Sequence, residues 1–339
     1  MTKITPNDSQ LHSAAYLQSL LCVPNLAMHL TTTGWRQEAH KSDATPPADA
    51  VVTVAAQALT LHQLTEIVKA LADNVSVGGI VEHGLNQAFG ETVLTAPVML
   101  HNHQSLKQKI TEVSTRYRVE LAVQRTQPEL EKAGLLVMDM DSTVIQIECI
   151  DEIAKLTGLG DQVAAVTERA MRGEMEFKES LIARVACLEG VKAEMLTQIR
   201  DSIPVMPGAI TLVEELKRRG WRVAIASGGF TFFANHLATR LGLDAAISNE
   251  LEVVAGTLTG KVSGSIVDAN VKAQTVTQLA TDWNIPLQQT IAMGDGANDL
   301  LMMEKAGLGV ACHAKPIVND NADVAIRYSG LHALLYYMK

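Results

Sequence analysis

From Gly134 onwards, short apolar runs alternate with longer segments of helical spacing, and this alternation most restricts what the chain can fold into. Leu135–Met138 and residues 221–226, 290–293 and 307–312 each read as buried strands. Helical periodicity is predicted over 210–219, 233–241 and 271–283, and residues 251–266, with glycines at 256, 260 and 264, read as a hairpin. Strands separated by helices imply an α/β fold with a doubly wound parallel sheet. In such sheets ligands gather at the carboxyl ends of the strands, so the residues at those ends bear most on function.

The first run ends in Asp139-Met140-Asp141-Ser142-Thr143. Alternation along an extended chain would turn Asp139 and Asp141 to one face, roughly 7 Å apart. Two like charges so placed raise each other's pKa unless a cation or a basic group holds both ionised. The other strand ends carry Ser227-Gly228-Gly229 and Gly294-Asp295-Gly296-Ala297-Asn298-Asp299. Carboxylate oxygens without imidazole or thiolate favour Mg²⁺ over zinc, and Mg²⁺ between Asp139, Asp141 and Asp295 would relieve the repulsion. Ser227 and the backbone N–H of Gly228 suit phosphate oxygens, because glycine lets the backbone approach an anion closely. Lys272 supplies the remaining positive charge. Together these residues describe a phosphoryl-transfer site in which an aspartate attacks phosphorus. Taken singly, each motif is a common turn, loop or solvated side chain. Their order on successive strand ends carries the reading.

The first part of the chain has a different rhythm. Residues 1–47 give no clear element, since the apolar patch at 17–23 is too short to separate helix from strand. Residues 41–47, with Pro46-Pro47, read as a linker. From 48 to 126 the order is β-α-β-β-α-β, the split βαβ arrangement of a ferredoxin-like α+β domain. It offers no nucleophile beside a base, and His101 and His103 read as exposed strand-end residues. Residues 124–134, polar and containing Pro128, mark the boundary to the second domain, expected over 134–339.

In this order, Asp139-Met140-Asp141-Ser142-Thr143, Ser227-Gly228-Gly229-Phe230, Lys272 and Gly294-Asp295-Gly296-Ala297-Asn298-Asp299 resemble the four motifs of the haloacid dehalogenase superfamily of phosphatases. The resemblance extends from about Gly134 to Lys339 and includes Glu148-Cys149-Ile150-Asp151-Glu152-Ile153-Ala154. It implies Mg²⁺-dependent hydrolysis of O-phospho-L-serine to L-serine and phosphate through an aspartyl-phosphate, the last step of serine biosynthesis. By the same resemblance Asp139 is the nucleophile, and Asp141 is the general acid and then the general base, its backbone carbonyl also ligating the metal. Asp295 completes the metal ligands, with Asn298 and Asp299 in support, and Ser227, Gly228 and Lys272 bind phosphate. A helical cap is implied over about 149–204. Glu148 would meet the substrate ammonium, Arg184 its carboxylate, and Met171 and Phe177 would line the cap. Without the resemblance, Glu148 and Arg184 would read as surface charge on an amphipathic helix. The 48–126 domain resembles ACT domains, which leaves amino-acid binding or pairing with a second copy as a homodimer both open.

Bulk properties limit the alternatives. With 28 basic against 37 acidic side chains, the net charge of −9 argues against a nucleic-acid surface. No apolar run is long enough for a membrane span and no secretory leader is evident, so a cytoplasmic protein is expected. Cys22, Cys149, Cys187 and Cys312 are too scattered for a zinc site or a disulfide framework. A phosphatase or phosphotransferase for another small phosphate ester, such as phosphohomoserine, remains an alternative, as does an amino-acid-binding regulator without activity.

Overall fold

Residues 2–23, 25–39 and 48–339 are described in a computed structural model. The linker expected at 41–47 lies outside them. The chain forms two compact units, residues 1–127 with 323–339 and residues 128–322.

In the first unit, β1 (Thr2–Lys3) is followed by α1 (Asp8–Leu11) and α2 (Ala14–Leu21), then by the antiparallel hairpin of β2 (Leu26–Thr31) and β3 (Gly34–Ala39). Next come β4 (Ala50–Ala56), α3 (Leu61–Leu71), β5 (Val75–Val77), β6 (Val81–Glu82), β7 (Thr92–Leu100), α4 (Leu106–Tyr117) and β8 (Glu120–Gln124). The main strands lie in the order β5-β7-β4-β8, all antiparallel, which is the expected ferredoxin-like arrangement. α3 forms because Thr60 and Gln63 make a capping box, and Leu61, Leu64, Ile67 and Leu71 turn one apolar face to the sheet. Residues 2–39 share this core through Ile4, Leu17, Leu21, Met28 and Trp35. Only Leu17 and Leu21 of α2 are buried, too few to announce a helix by periodicity.

The division departs from the sequence expectation at the other end of the chain, where residues 323–339 belong with the first unit and not with the second. The reason is polar as well as apolar. Glu120 is buried and accepts hydrogen bonds from the backbone N–H groups of Arg327, Tyr328 and Ser329. Glu91, also buried, accepts from Ser329 Oγ at 2.6 Å and Tyr336 Oη at 2.6 Å. Two buried carboxylates thus need this segment as their partner.

In the second unit the strands are β9 (Leu135–Met138), β10 (Arg222–Phe230), β11 (Ala245–Val254), β12 (Thr257–Ser263), β13 (Thr290–Gly294) and β14 (Leu308–Cys312). They lie in the order β12-β11-β10-β9-β13-β14, parallel from β11 to β14, with β12 antiparallel to β11. All four residues of β9 are fully buried, as expected of a central parallel strand covered on both faces. The chain leaves β9 for β10 on one side and later returns to β13 on the other, so β9 is the topological switch point. Helices α5 (Cys149–Leu156), α6 (Gly160–Met171), α7 (Phe177–Ala186) and α8 (Met195–Ser202) follow β9 and form the expected helical block. The remaining helices are α9 (Ala209–Arg218), α10 (Thr231–Leu241), α11 (Ala269–Asp282), α12 (Leu300–Lys305) and α13 (Pro316–Asn321). The expected hairpin is present but begins earlier, because β11 runs first beside β10 and only then pairs with β12.

Glu120→Ala would strip three backbone N–H groups, that of Ser329 buried, of their acceptor. It is expected to lower stability by about 3 kcal/mol, read as a shift of the denaturant midpoint.

Candidate active site

Both acids of the first motif lie just beyond the strand and not within it. β9 ends at Met138, and the chain then makes a tight turn over Met140–Val144, with Ser142 at φ 56°. Strand alternation therefore does not govern Asp139 and Asp141, and their side chains have separate partners. Asp139 Oδ1 accepts from its neighbour Met140 N at 2.7 Å, while Asp141 Oδ1 accepts from Cys149 N at 3.3 Å. That second bond ties the turn to the start of α5.

Lys272 lies on the first turn of α11, whose N-cap is Asp268, and its side chain is 1% exposed. Its Nζ is 2.8 Å from Asp139 Oδ2 and 2.8 Å from Asp299 Oδ1. Burial alone would lower its pKa, but the Asp139 and Asp299 charges outweigh burial and hold it above the ordinary lysine value. One ammonium faces more than two acids. Oxygens of Asp139, Asp295 and Asp299 lie within 4.8 Å of one another. Asp295 is fixed by Thr143 Oγ1, which donates to its Oδ1 at 3.0 Å. Burial and the Asp139 charge push Asp295 above its usual value, and Asp299 up to about 7.

These carboxylates form the site where a cation fits. Three acids against one lysine leave surplus negative charge in a desolvated place, and the donors are all hard oxygens. The sequence had named Asp139, Asp141 and Asp295 as metal ligands. Among the described residues the carboxylate cluster contains Asp139, Asp295 and Asp299, and the Asp141 side chain is not part of it. The last acid of the Gly-Asp-Gly-Ala-Asn-Asp motif was thus closer to the centre than its supporting role suggested. Gly294 permits this, because a Cβ there would run into the Asp299 carboxylate.

Asp141 has a different environment. Burial first, then the Glu148 and Asp139 charges, raise its carboxyl to about 8, so in the metal-free protein it is protonated at neutral pH. Glu148 is also raised, by partial desolvation and the charges of Asp295 and Asp139, and accepts from Ser142 Oγ at 2.7 Å.

A cavity of about 270 Å³ opens above these groups. Asp139, Asp141 and Asp295 reach it from the β9 and β13 ends, Ser227 and Gly228 from β10, and Asn298 from the loop after β13. Glu148, Phe177 and Arg184 line it from the helical block. Lys272 stands behind Asp139. The side chain of Met171 lies outside the described part of the structure. Arg184 Nε is buried with no hydrogen-bond partner among the described residues, as suits a guanidinium awaiting an anion. Leu181 and Ile150 also line the cavity and were not foreseen. Phe177, Leu181 and Arg184 lie at i, i+4 and i+7 on α7, so helical spacing could have found Leu181.

Comparison with known proteins settles the family. A model of the haloacid dehalogenase-like hydrolases matches residues 134–307, about half of the chain. The chain belongs to the haloacid dehalogenase-like hydrolases. Among members with assigned activities, it is 52% identical over 217 residues to a phosphoserine phosphatase of Haemophilus influenzae, covering 64% of this chain and 69% of that protein. A solved structure of a probable phosphoserine phosphatase from Vibrio cholerae, in unliganded form, matches with a TM-score of 0.72 and 40% identity over 87% of this chain and 88% of that one. A phospho-aspartyl intermediate analogue of phosphoserine phosphatase matches with a TM-score of 0.58 and 40% identity over 61% of this chain and 100% of that one. This hydrolase therefore has an α/β core shared with those enzymes. Among the described residues, no helix is long and apolar enough to cross a membrane.

The raised Asp141 pKa predicts a pH dependence. In the unfolded chain this group titrates near about 4, and in the folded metal-free protein at about 8. Its contribution to stability is complete below the first value and lost as pH rises through the second. In EDTA, the thermal midpoint of the parent chain should therefore fall relative to that of Asp141→Asn between about pH 4.5 and about pH 8.5. A constant difference would contradict the assignment.

Proposed function

We propose that this hydrolase cleaves O-phospho-L-serine to L-serine and phosphate, with Asp139 as the nucleophile. The observation that carries the reading is the cavity itself. It joins the Asp139 carboxylate at its floor to an acid, Glu148, and an unpartnered Arg184 above, the charges needed for an α-ammonium and an α-carboxylate. A planar guanidinium suits a carboxylate as a two-bond fork. The two phosphoserine phosphatases and the phospho-aspartyl analogue among its relatives support the same substrate and the same intermediate.

In the first step Asp139 Oδ attacks phosphorus and the ester P–O bond breaks. Lys272 pairs with Asp139 and cancels charge as it builds on the phosphoryl oxygens. Asp141, protonated, gives its proton to the departing serine oxygen, a poor leaving group as an alkoxide. In the second step Asp141, now a base, takes a proton from the water that attacks the aspartyl-phosphate, releasing phosphate and restoring both acids. Ser227 and the Gly228 N–H bind phosphate oxygens, Phe177 covers them, and Asn298 borders the same pocket. Asp139, Asp295 and the Asp141 backbone carbonyl would hold Mg²⁺, with Asp299 near at hand. When bound, it would supply positive charge beside the phosphoryl group and balance the surplus acid charge of the cluster.

Three outcomes test this proposal. Phosphate release from O-phospho-L-serine should fall by more than about a thousandfold in Asp139→Asn. Arg184→Ala should raise KM for O-phospho-L-serine at least about tenfold, while changing kcat/KM for para-nitrophenyl phosphate less than about threefold. Equal losses on both substrates would remove Arg184 from amino-acid recognition. Mg²⁺ in excess over EDTA should raise the thermal midpoint, and Asp295→Asn should abolish that rise. A rise unchanged in the variant would place the cation elsewhere.

A further inference from the structure

We infer that Asn249 is a positioning residue that sets the phosphate-binding turn against the helix carrying Lys272. The inference rests on the reading of Ser227, Gly228 and Lys272 as the phosphate subsite. β10 and β11 pair regularly from Ala224↔Ala245 to Ala226↔Ile247, then lose register until Phe230↔Asn249. The irregular stretch is Ser227-Gly228-Gly229. Such a break frees backbone groups from the ladder, which is what a turn must do to offer an N–H to an anion. It also leaves the Gly228 carbonyl to be satisfied in a buried place.

Asn249 meets that need. Its side-chain Nδ2 donates to Gly228 O at 2.7 Å, and its Oδ1 accepts from Val267 N at 2.8 Å. Only 1% of Asn249 is exposed. An amide is required, since one end donates and the other accepts. Val267 immediately precedes Asp268, the N-cap of α11, and Lys272 N donates to Asp268 O at 2.9 Å. A single side chain therefore joins the Gly228 peptide to the start of the Lys272 helix. Gly228 has little freedom on its other face, where a Cβ would lie 2.9 Å from Phe177 Cζ. Ser227 is pinned as well, its Oγ accepting from Gly229 N at 2.9 Å.

The position of Asn249 also ties the turn to the cap. It lies where β11 leaves β10 and goes on to pair with β12. Beyond it, Gly190 N donates to Leu258 O at 2.9 Å and Ala193 N to Gly256 O at 3.0 Å, so the segment between α7 and α8 is stitched to this hairpin. The amino-acid end of the substrate would contact Arg184 and Glu148, neither of which bonds to Asn249. Loss of Asn249 should therefore be felt at the phosphate end.

The test compares inhibition by orthophosphate with inhibition by L-serine in the full chain, using Asn249→Ala and Asn249→Asp. Asn249→Asp keeps the acceptor for Val267 N but sets an oxygen against Gly228 O. In both variants the inhibition constant for orthophosphate should rise about tenfold, the worth of one buried hydrogen bond, with that for L-serine changed less than about twofold. Equal weakening of both ligands, or no change in either, would overturn the inference. If Asn249→Ala does not fold, Asn249→Asp decides alone. If the parent chain turns over para-nitrophenyl phosphate but not O-phospho-L-serine, the substrate assignment fails separately. Orthophosphate inhibition of para-nitrophenyl phosphate turnover, measured against that of an Arg184→Ala control, then decides the role of Asn249.

Discussion

The buried contact of Lys272 with Asp139 and Asp299 is the interaction on which the rest of the catalytic unit depends. Two carboxylates and an ammonium with almost no access to water are costly unless each finds a partner at hydrogen-bond distance. Here the ammonium bridges two acids on different strand ends, at 2.8 Å from each. It therefore joins β9, the loop after β13 and α11 at the sheet's switch point. The backbone around it is shaped to permit this contact, with glycine at 294 where any side chain would collide with Asp299. The same pair leaves the site overcharged, since Asp295 adds a further acid. The pairing that holds the site together and the acid cluster that could take a cation thus come from one arrangement.

Around this centre the two acids of the first motif have become unequal. Asp139 pairs with Lys272 Nζ and accepts from the Met140 N–H, an environment that suits the nucleophile proposed for it. Asp141 is raised to about 8 by burial and by the charges of Glu148 and Asp139. In the proposed mechanism, separate environments, and not the acids themselves, divide the roles of nucleophile and proton carrier.

Much of this was legible in the sequence because it rests on local rules. The parallel core followed from strands separated by helices, and the ferredoxin-like order from the alternation of periods. The ends of β9, β10 and β13 did carry the polar clusters. What was not legible depends on contacts distant in the chain. The hairpin of β2 and β3 and helices α1 and α2 are short, and they gain order by packing Leu17, Met28 and Trp35 into a core built later in the sequence. Residues 323–339 come after the helices and strands of the second unit in sequence, yet they are claimed by Glu91 and Glu120, far back in the chain. The sequence reads Asp299 as a support for the metal and Lys272, and Asp299 does pair with Lys272 Nζ, but its closeness to Asp139 is created only by folding. Asn249 carries no motif at all, and its role follows only from the break in the β10–β11 register.

The central claim is a covalent bond from Asp139 to phosphorus. Rapid acid quenching during turnover of O-phospho-L-serine, followed by peptide mass spectrometry, tests it most directly, because acyl phosphates survive at low pH. The account predicts one phosphoryl group on the peptide containing Asp139, and none on that peptide in Asp139→Asn. Phosphate release at full rate with no adduct, or with the adduct on another residue, would contradict it.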